Sequence, residues 1–186
     1  MEPKRVVRPR HLDPRLRVGI TSLLPAEMVG IWDPVGTSFN IEITADGNQT
    51  TIQPPVPYNF MGGGTGLDWD GWRFIRKLGD GETLVGVWET DDVYMEEYHF
   101  RPDGTFTYHD PFAPTDLFGT YQVEAGPEKL GTKEFRGVIT VTGNELDHDP
   151  VFYPSDHYEW EITADGLTMT WTNTSTSVTT VFTKVT

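Results

Sequence analysis

Acidic and basic side chains placed in phase with aromatic ones raise the first chemical question in this sequence. In DVYMEEYHF (92 to 100), the phase Tyr94, Glu96, Tyr98, Phe100 is the more aromatic, so an alternating strand sends Glu96 inward with it. In GWRFIRK, the phase Trp72, Phe74, Arg76 sends a guanidinium inward in the same way. A carboxylate or guanidinium desolvated alone costs several kcal/mol, so Glu96 and Arg76 must either pair or face a polar ligand. Enclosure of Glu96 by Trp72, Tyr94 and Tyr98 would raise its pKa toward the range useful for general acid-base catalysis.

The triplet His-Asp-Pro occurs twice, at His109-Asp110-Pro111 and His148-Asp149-Pro150. Proline interrupts ladder pairing, which predicts that both triplets lie at strand ends, where His109 is placed to shuttle protons near neutral pH. Convergence of His109, Asp110, His148, Asp149, Asp156 and His157 would make a metal site, but their spacing matches no metal motif, so no metal is expected. An aspartate starting a turn before proline explains the triplets more simply.

These groups sit in a pattern of period two. FNIEIT, HYEWEIT and LTMTWT alternate apolar and polar residues, and ADGN, PDG, ADG and TGN separate such runs with tight-turn chemistry. Twelve strands are predicted, near 29–33, 38–44, 49–53, 69–77, 83–90, 94–101, 105–109, 117–124, 135–142, 157–163, 167–173 and 177–185. A helical register exists only in LRVGITSLLPAEMVG, where Pro25 interrupts it, so at most one or two short helices are expected. The prediction is an all-β chain closed as a single antiparallel up-and-down barrel of about eight to ten strands. Residues 28 to 186 would form the barrel and residues 1 to 27 a basic N-terminal arm or lid.

The loop QPPVPYNFMGGGTGLD (53 to 68) is proline-stiff at one end and glycine-loose at the other, and carries Tyr58, Phe60 and Met61. It is expected either as a flap over the open end, hinged at Gly62-Gly63-Gly64, or as an ordinary connector. Its glycines lead into a strand, so no helix N-terminus is there to hold a phosphate.

Composition narrows the function. Of 186 residues 37% are hydrophobic, enough for a core, and cysteine is absent, which excludes disulfides, thiolate zinc sites and a cysteine nucleophile. The net charge is −14. Six of the 14 basic residues and two of the 28 acidic ones fall in the first seventeen positions, leaving a body with eight basic and 26 acidic residues. Such a body repels phosphate backbones, so no nucleic-acid partner is expected. No apolar run reaches signal-peptide or membrane-span length, and a cytoplasmic protein without a membrane partner is expected. Whether it forms a homodimer is left open.

Gly30-Ile31-Trp32 and Gly86-Val87-Trp88 repeat one phrase 56 residues apart, in MVGIWDPV and LVGVWETD. LVGVWETD, followed by YHFRPDGTFTY, GTYQV, YEWEITADGLTMTWT and TTVFTKV, resembles the lipocalin-like (calycin) barrels over roughly 84 to 185. That resemblance implies a Gly-x-Trp on an opening strand, its indole lying across one end of the barrel. The first copy would then either open the barrel or belong to a partial repeat that widens the sheet. Some lipocalin-like barrels are cofactor-free cyclases or isomerases of secondary metabolism, including pericyclic, Diels-Alder-type cyclases that fold a polyene beneath a lid. The resemblance therefore implies a hydrophobic small-molecule substrate, no cofactor, and catalysis mostly by confinement. Aromatic walls would come from Trp72, Tyr94, Tyr98, Trp160 and Trp171, with Tyr58, Phe60 and Met61 on the flap, and Glu96, Arg76 or His109 as the polarising group. The alternative is an intracellular carrier of an apolar ligand with the same pocket and no chemistry.

Overall fold

The computed structural model describes residues 24 to 151 and 154 to 186. Among these there is no helix, and the chain is all-β, as its alternation predicts. Fourteen antiparallel strands follow in order: β1 (Gly30–Pro34), β2 (Asn40–Ile43), β3 (Asn48–Met61), β4 (Gly66–Trp69), β5 (Trp72–Leu78), β6 (Gly86–Thr90), β7 (Glu97–Phe100), β8 (Thr105–His109), β9 (Leu117–Glu124), β10 (Lys129–Thr142), β11 (Glu145–Pro150), β12 (Asp156–Ile162), β13 (Thr168–Asn173) and β14 (Thr179–Lys184). Each pairs with its chain neighbours, and β1 pairs with β14 to close a ring.

The number fourteen corrects the expected eight to ten, and its cause is a second pairing. β3 and β10, 14 residues each, pair with one another across the middle of the ring. Their ribbon divides it into two circuits of eight: β1, β2, β3, β10 and β11 to β14 in the first, β3 to β10 in the second. Each circuit has its own core. Trp32, Ile41, Ile43, Ile139, Leu146, Met169, Trp171 and Phe182 fill the first. Tyr58, Leu67, Trp69, Phe74, Trp88, Phe100, Phe106 and Leu130 fill the second.

Two bulges let one ribbon serve both cores. Between the pairs Gln53↔Thr132 and Val56↔Leu130, β3 carries one residue more than β10, at Pro54-Pro55. The extra residue moves the inward phase of β3 from Gln49, Thr51 and Gln53 to Val56, Tyr58 and Phe60. Proline is tolerated there because a bulge needs no ladder donor. In β10 the extra residue is Arg136, between Phe135↔Thr50 and Gly137↔Gln49, and the buried phase passes from Leu130, Thr132 and Glu134 to Gly137 and Ile139.

The two Gly-x-Trp copies plug the far ends. Ile43 pairs with Gly30 and with Gln49, so β3 starts at the plugged end of the first circuit. It finishes at Met61, where the following turn reaches Arg76 and Trp88 in the second. Local structure repeats closely: both glycines have φ of 141°, Trp32 Nε1 donates to Met28 O at 2.8 Å, and Trp88 Nε1 donates to Leu84 O at 2.7 Å. A cation covers each indole, Lys184 at 5.1 Å and Arg76 at 4.0 Å from the ring centre, each on the strand paired with its tryptophan. A Cβ on Gly86 would press into the Leu78 carbonyl, so glycine is required for this approach as well as for its φ. The repeat therefore marks two ends, and the first copy opens a full circuit of its own.

Three further expectations change. The 53 to 68 flap is strand: its first half completes β3, Gly62-Gly63-Gly64 forms the turn at positive φ, and β4 follows. The predicted strand 69–77 is two strands, folded back at Asp70-Gly71, both at positive φ. His148-Asp149-Pro150 lies within β11, paired along β10 with Pro150 opposite Gly137, because a proline at the last strand position leaves the preceding ladder intact. Of the expected arm, residues 1 to 23 lie outside the described residues; Leu24 is buried in the first core, and Glu27 O accepts from Lys184 Nζ at 3.1 Å.

Candidate functional site

With a plug at each far end, the two circuits turn their other ends toward the middle of the ribbon. A cavity of about 550 Å³ lies there, lined by both circuits. That is room for one small ligand. Its floor is the inward face of the ribbon: Gln49, Thr51 and Gln53 from β3, and Thr132, Glu134 and Arg136 from β10. The second circuit supplies Trp69, Phe74, Tyr98 and Leu117, with Trp72 at the opening, 55% exposed. The first contributes Phe39, Ile41, His148 and Pro150. The rims touch where Thr115 Oγ1 donates to Val151 O at 3.0 Å and Gln53 Nε2 to Asp70 Oδ2 at 3.3 Å.

The polar floor is electrostatically costly. Glu134 is 5% exposed, and burial raises its pKa against the opposing effect of Arg136, whose Nη2 lies 2.6 Å from Glu134 Oε2. Burial lowers the pKa of His148, against the nearby charges of Asp156 and Asp149. Gln49 Oε1, Arg136 Nε and His148 Nε2 are buried without a hydrogen-bond partner among the described residues. They belong to three adjacent strands, β3, β10 and β11, which all take part in the first circuit. Such groups cost about 1–3 kcal/mol each unless something in the cavity satisfies them. Together they can hold a polar group by donation and acceptance while Trp69, Trp72, Phe74 and Tyr98 cover an apolar body.

A buried neutral histidine makes stability depend on pH. Since its folded pKa lies below the ordinary 6.5, the unfolded chain binds more protons between those two values, and His148 costs stability as pH falls through that window. His148→Gln should therefore lose less melting temperature than the parent between pH 7.5 and pH 5.5, measured side by side. Equal losses would mean that the imidazole titrates alike folded and unfolded.

Three of the residues expected from the sequence line the cavity: Glu96, Trp72 and Tyr98. Glu96 lies beside Tyr108, whose pKa is raised first by burial and then by a hydrogen bond to Glu96. Its strand starts one residue later, since Met95 has φ 52° and breaks the alternation that grouped Glu96 with Tyr94; Tyr94 is exposed. Arg76 lies outside the cavity. Its guanidinium donates to the carbonyls of Gly64, Gly81, Thr83 and Val85 and clamps the Trp88 plug. Tyr58 and Phe60 pack in the second core, Phe60 stacked on Trp88 at 6.0 Å, and Met61 ends β3. His109 is on the outer face, 2.8 Å from Asp116. Trp171 belongs to the first core, where its ring lies 6.4 Å from His148, and Trp160 packs against that core with Nε1 donating to Gly143 O. Among the described residues no three or more His, Asp or Glu side chains form a group able to hold a metal, and no helix is long and apolar enough to cross a membrane.

Sequence reasoning missed Gln49, Gln53, Glu134 and Arg136, because it took the more apolar phase of a strand as the inward one; His148 it named, but in a His-Asp-Pro triplet at a strand end and as a metal-ligand candidate rather than as cavity lining. In KEFRG the inward side chain is Glu134, while Phe135 is 38% exposed. The available signal was NQTTIQ and GTKEFR, in which neither phase is wholly apolar.

The chain matches no family model, no curated protein and no solved structure.

Proposed function

We propose that the cavity takes a hydrophobic small metabolite bearing a polar group, and that the chain acts on it as a cofactor-independent cyclase or isomerase in the cytoplasm. The lipocalin-like resemblance of the Gly-x-Trp strands supports the kind of protein; the cavity supports the substrate. The observation that carries the reading is that Gln49, Arg136 and His148, each with a buried polar atom lacking a hydrogen-bond partner among the described residues, line the same 550 Å³ cavity as Trp69, Trp72, Phe74 and Tyr98. Confinement would supply most of the rate, and Glu134, its pKa raised by burial, would exchange the proton. Glu96, also on the cavity wall, is the second acid-base candidate.

A carrier without catalysis is the second reading, favoured by the Glu134–Arg136 pair, in which the floor's charges satisfy one another. A thermal-shift screen of lipophilic metabolites, with mass analysis of each hit before and after incubation, separates the two. A converted hit supports the enzyme; hits recovered intact support the carrier; no hit contradicts both. With a converted hit in hand, Glu134→Gln should lower turnover about 10²- to 10³-fold and leave affinity within a few-fold. Full turnover in that variant would remove Glu134 from the chemistry.

A further inference from the structure

The geometry points to an uncharged head group on the ligand, one presenting a hydrogen-bond acceptor beside a donor, as an amide or a hydroxy-carbonyl does, seated on Gln49, Arg136 and His148. This deepens the proposed small-molecule reading and rests on it. The Arg136 Nε–H can donate only, and Gln49 Oε1 can accept only. Both are buried without a partner among the described residues, and they sit on adjacent strands, with Gln49 opposite Gly137, the residue after Arg136. A head group that accepts from one and donates to the other satisfies both. His148 Nε2 adds a third bond, as donor or acceptor according to its tautomer.

Charge argues for neutrality. At the floor Arg136 Nη2 is held by Glu134, so the pair adds no net charge to the site and leaves the buried Nε–H to donate. Around the wall the other Asp and Glu side chains among the described residues are Asp70 and Glu96, and burial favours the uncharged form of His148. An anionic head would meet these carboxyl groups with, among the described lining residues, no further Lys or Arg to answer it. A cationic head would lie beside the Arg136 Nε–H, from which an ammonium group cannot accept, and would leave that donor unsatisfied. The apolar body would point away from this head, between Trp69, Trp72, Phe74 and Tyr98.

Three probes sharing one ring test this: indole-3-acetamide, indole-3-acetate and tryptamine, titrated into the full chain at pH 7.5 and read by isothermal calorimetry. The amide should bind at least tenfold more tightly than either ion. Gln49→Met should weaken the amide about tenfold and the ions far less, since it removes the acceptor but keeps the volume. Measurable binding with an ion equal to or tighter than the amide overturns the head-group assignment alone. No binding of any probe at millimolar concentration overturns the assignment together with the binding reading beneath it. Should Gln49→Met not fold, the order of the three probes on the parent chain decides by itself.

Discussion

Trp88→Ala is expected to cost about 3–5 kcal/mol in urea-induced unfolding, among the largest losses any single substitution in this chain should produce. The indole is fully buried, donates to Leu84 O, stacks on Phe60 and lies under Arg76. Truncation removes that apolar area and leaves a cavity that the neighbours cannot fill, because Arg76 is tied by four carbonyls to the loops around it. Unfolding should remain a single transition. Both circuits are closed by the β3–β10 pairing, so loosening the second circuit loosens strands that close the first. A loss below about 1 kcal/mol would show that Trp88 is not a plug, and two resolved transitions would show that the circuits do not share their stability.

Arg136→Met should cost about 3 kcal/mol at neutral pH. Removing one member of a buried pair leaves the other charge uncompensated, and Glu134 is the deeper of the two. The figure is set at the low end because the Arg136 side chain is 38% exposed, so water already screens part of the interaction. The loss should shrink on acidification. With a folded pKa raised further by the missing guanidinium, Glu134 binds its proton earlier in the folded state than in the unfolded chain, so stability recovers as pH falls from 7 toward 5. Denaturant titrations of parent and variant at both pH values give the comparison. A constant difference across that range would mean that Glu134 keeps its charge at no cost, and the floor would not be the desolvated environment described above.

How much of this was legible depends on which rule each residue obeys. Alternation in FNIEIT, HYEWEIT and LTMTWT marks β2, β12 and β13 because one face of each is apolar, and the paired Gly-x-Trp phrases marked something structurally repeated. The ribbon did not follow the rule. Pro54-Pro55 reads as a loop, yet it is the bulge that carries β3 from one core to the other, and Arg136 does the same for β10 with nothing local to announce it. A bulge is fixed by the partner strand, here 80 residues away, so no window of sequence contains it. The site was hidden for the same reason. Gln49, Glu134 and His148 point inward because their strands meet at the junction of two circuits, and a single-barrel expectation has no junction. Tyr98 was found because its strand's apolar phase does face in; Glu96 and Trp72 reach the cavity although Met95 breaks the phase before Glu96 and Trp72 stands exposed at the opening.

The six tryptophan indoles offer the most direct test that the junction of the circuits is where a ligand binds. Indole ¹⁵N–¹H correlation spectra with indole-3-acetamide added should move the signals of Trp69 and Trp72, which line the cavity, and leave those of Trp32 and Trp88, at the plugged far ends, in place. Shifts confined to Trp160, or to Trp32 and Trp88, with Trp69 and Trp72 unmoved, would put the ligand elsewhere and contradict the account.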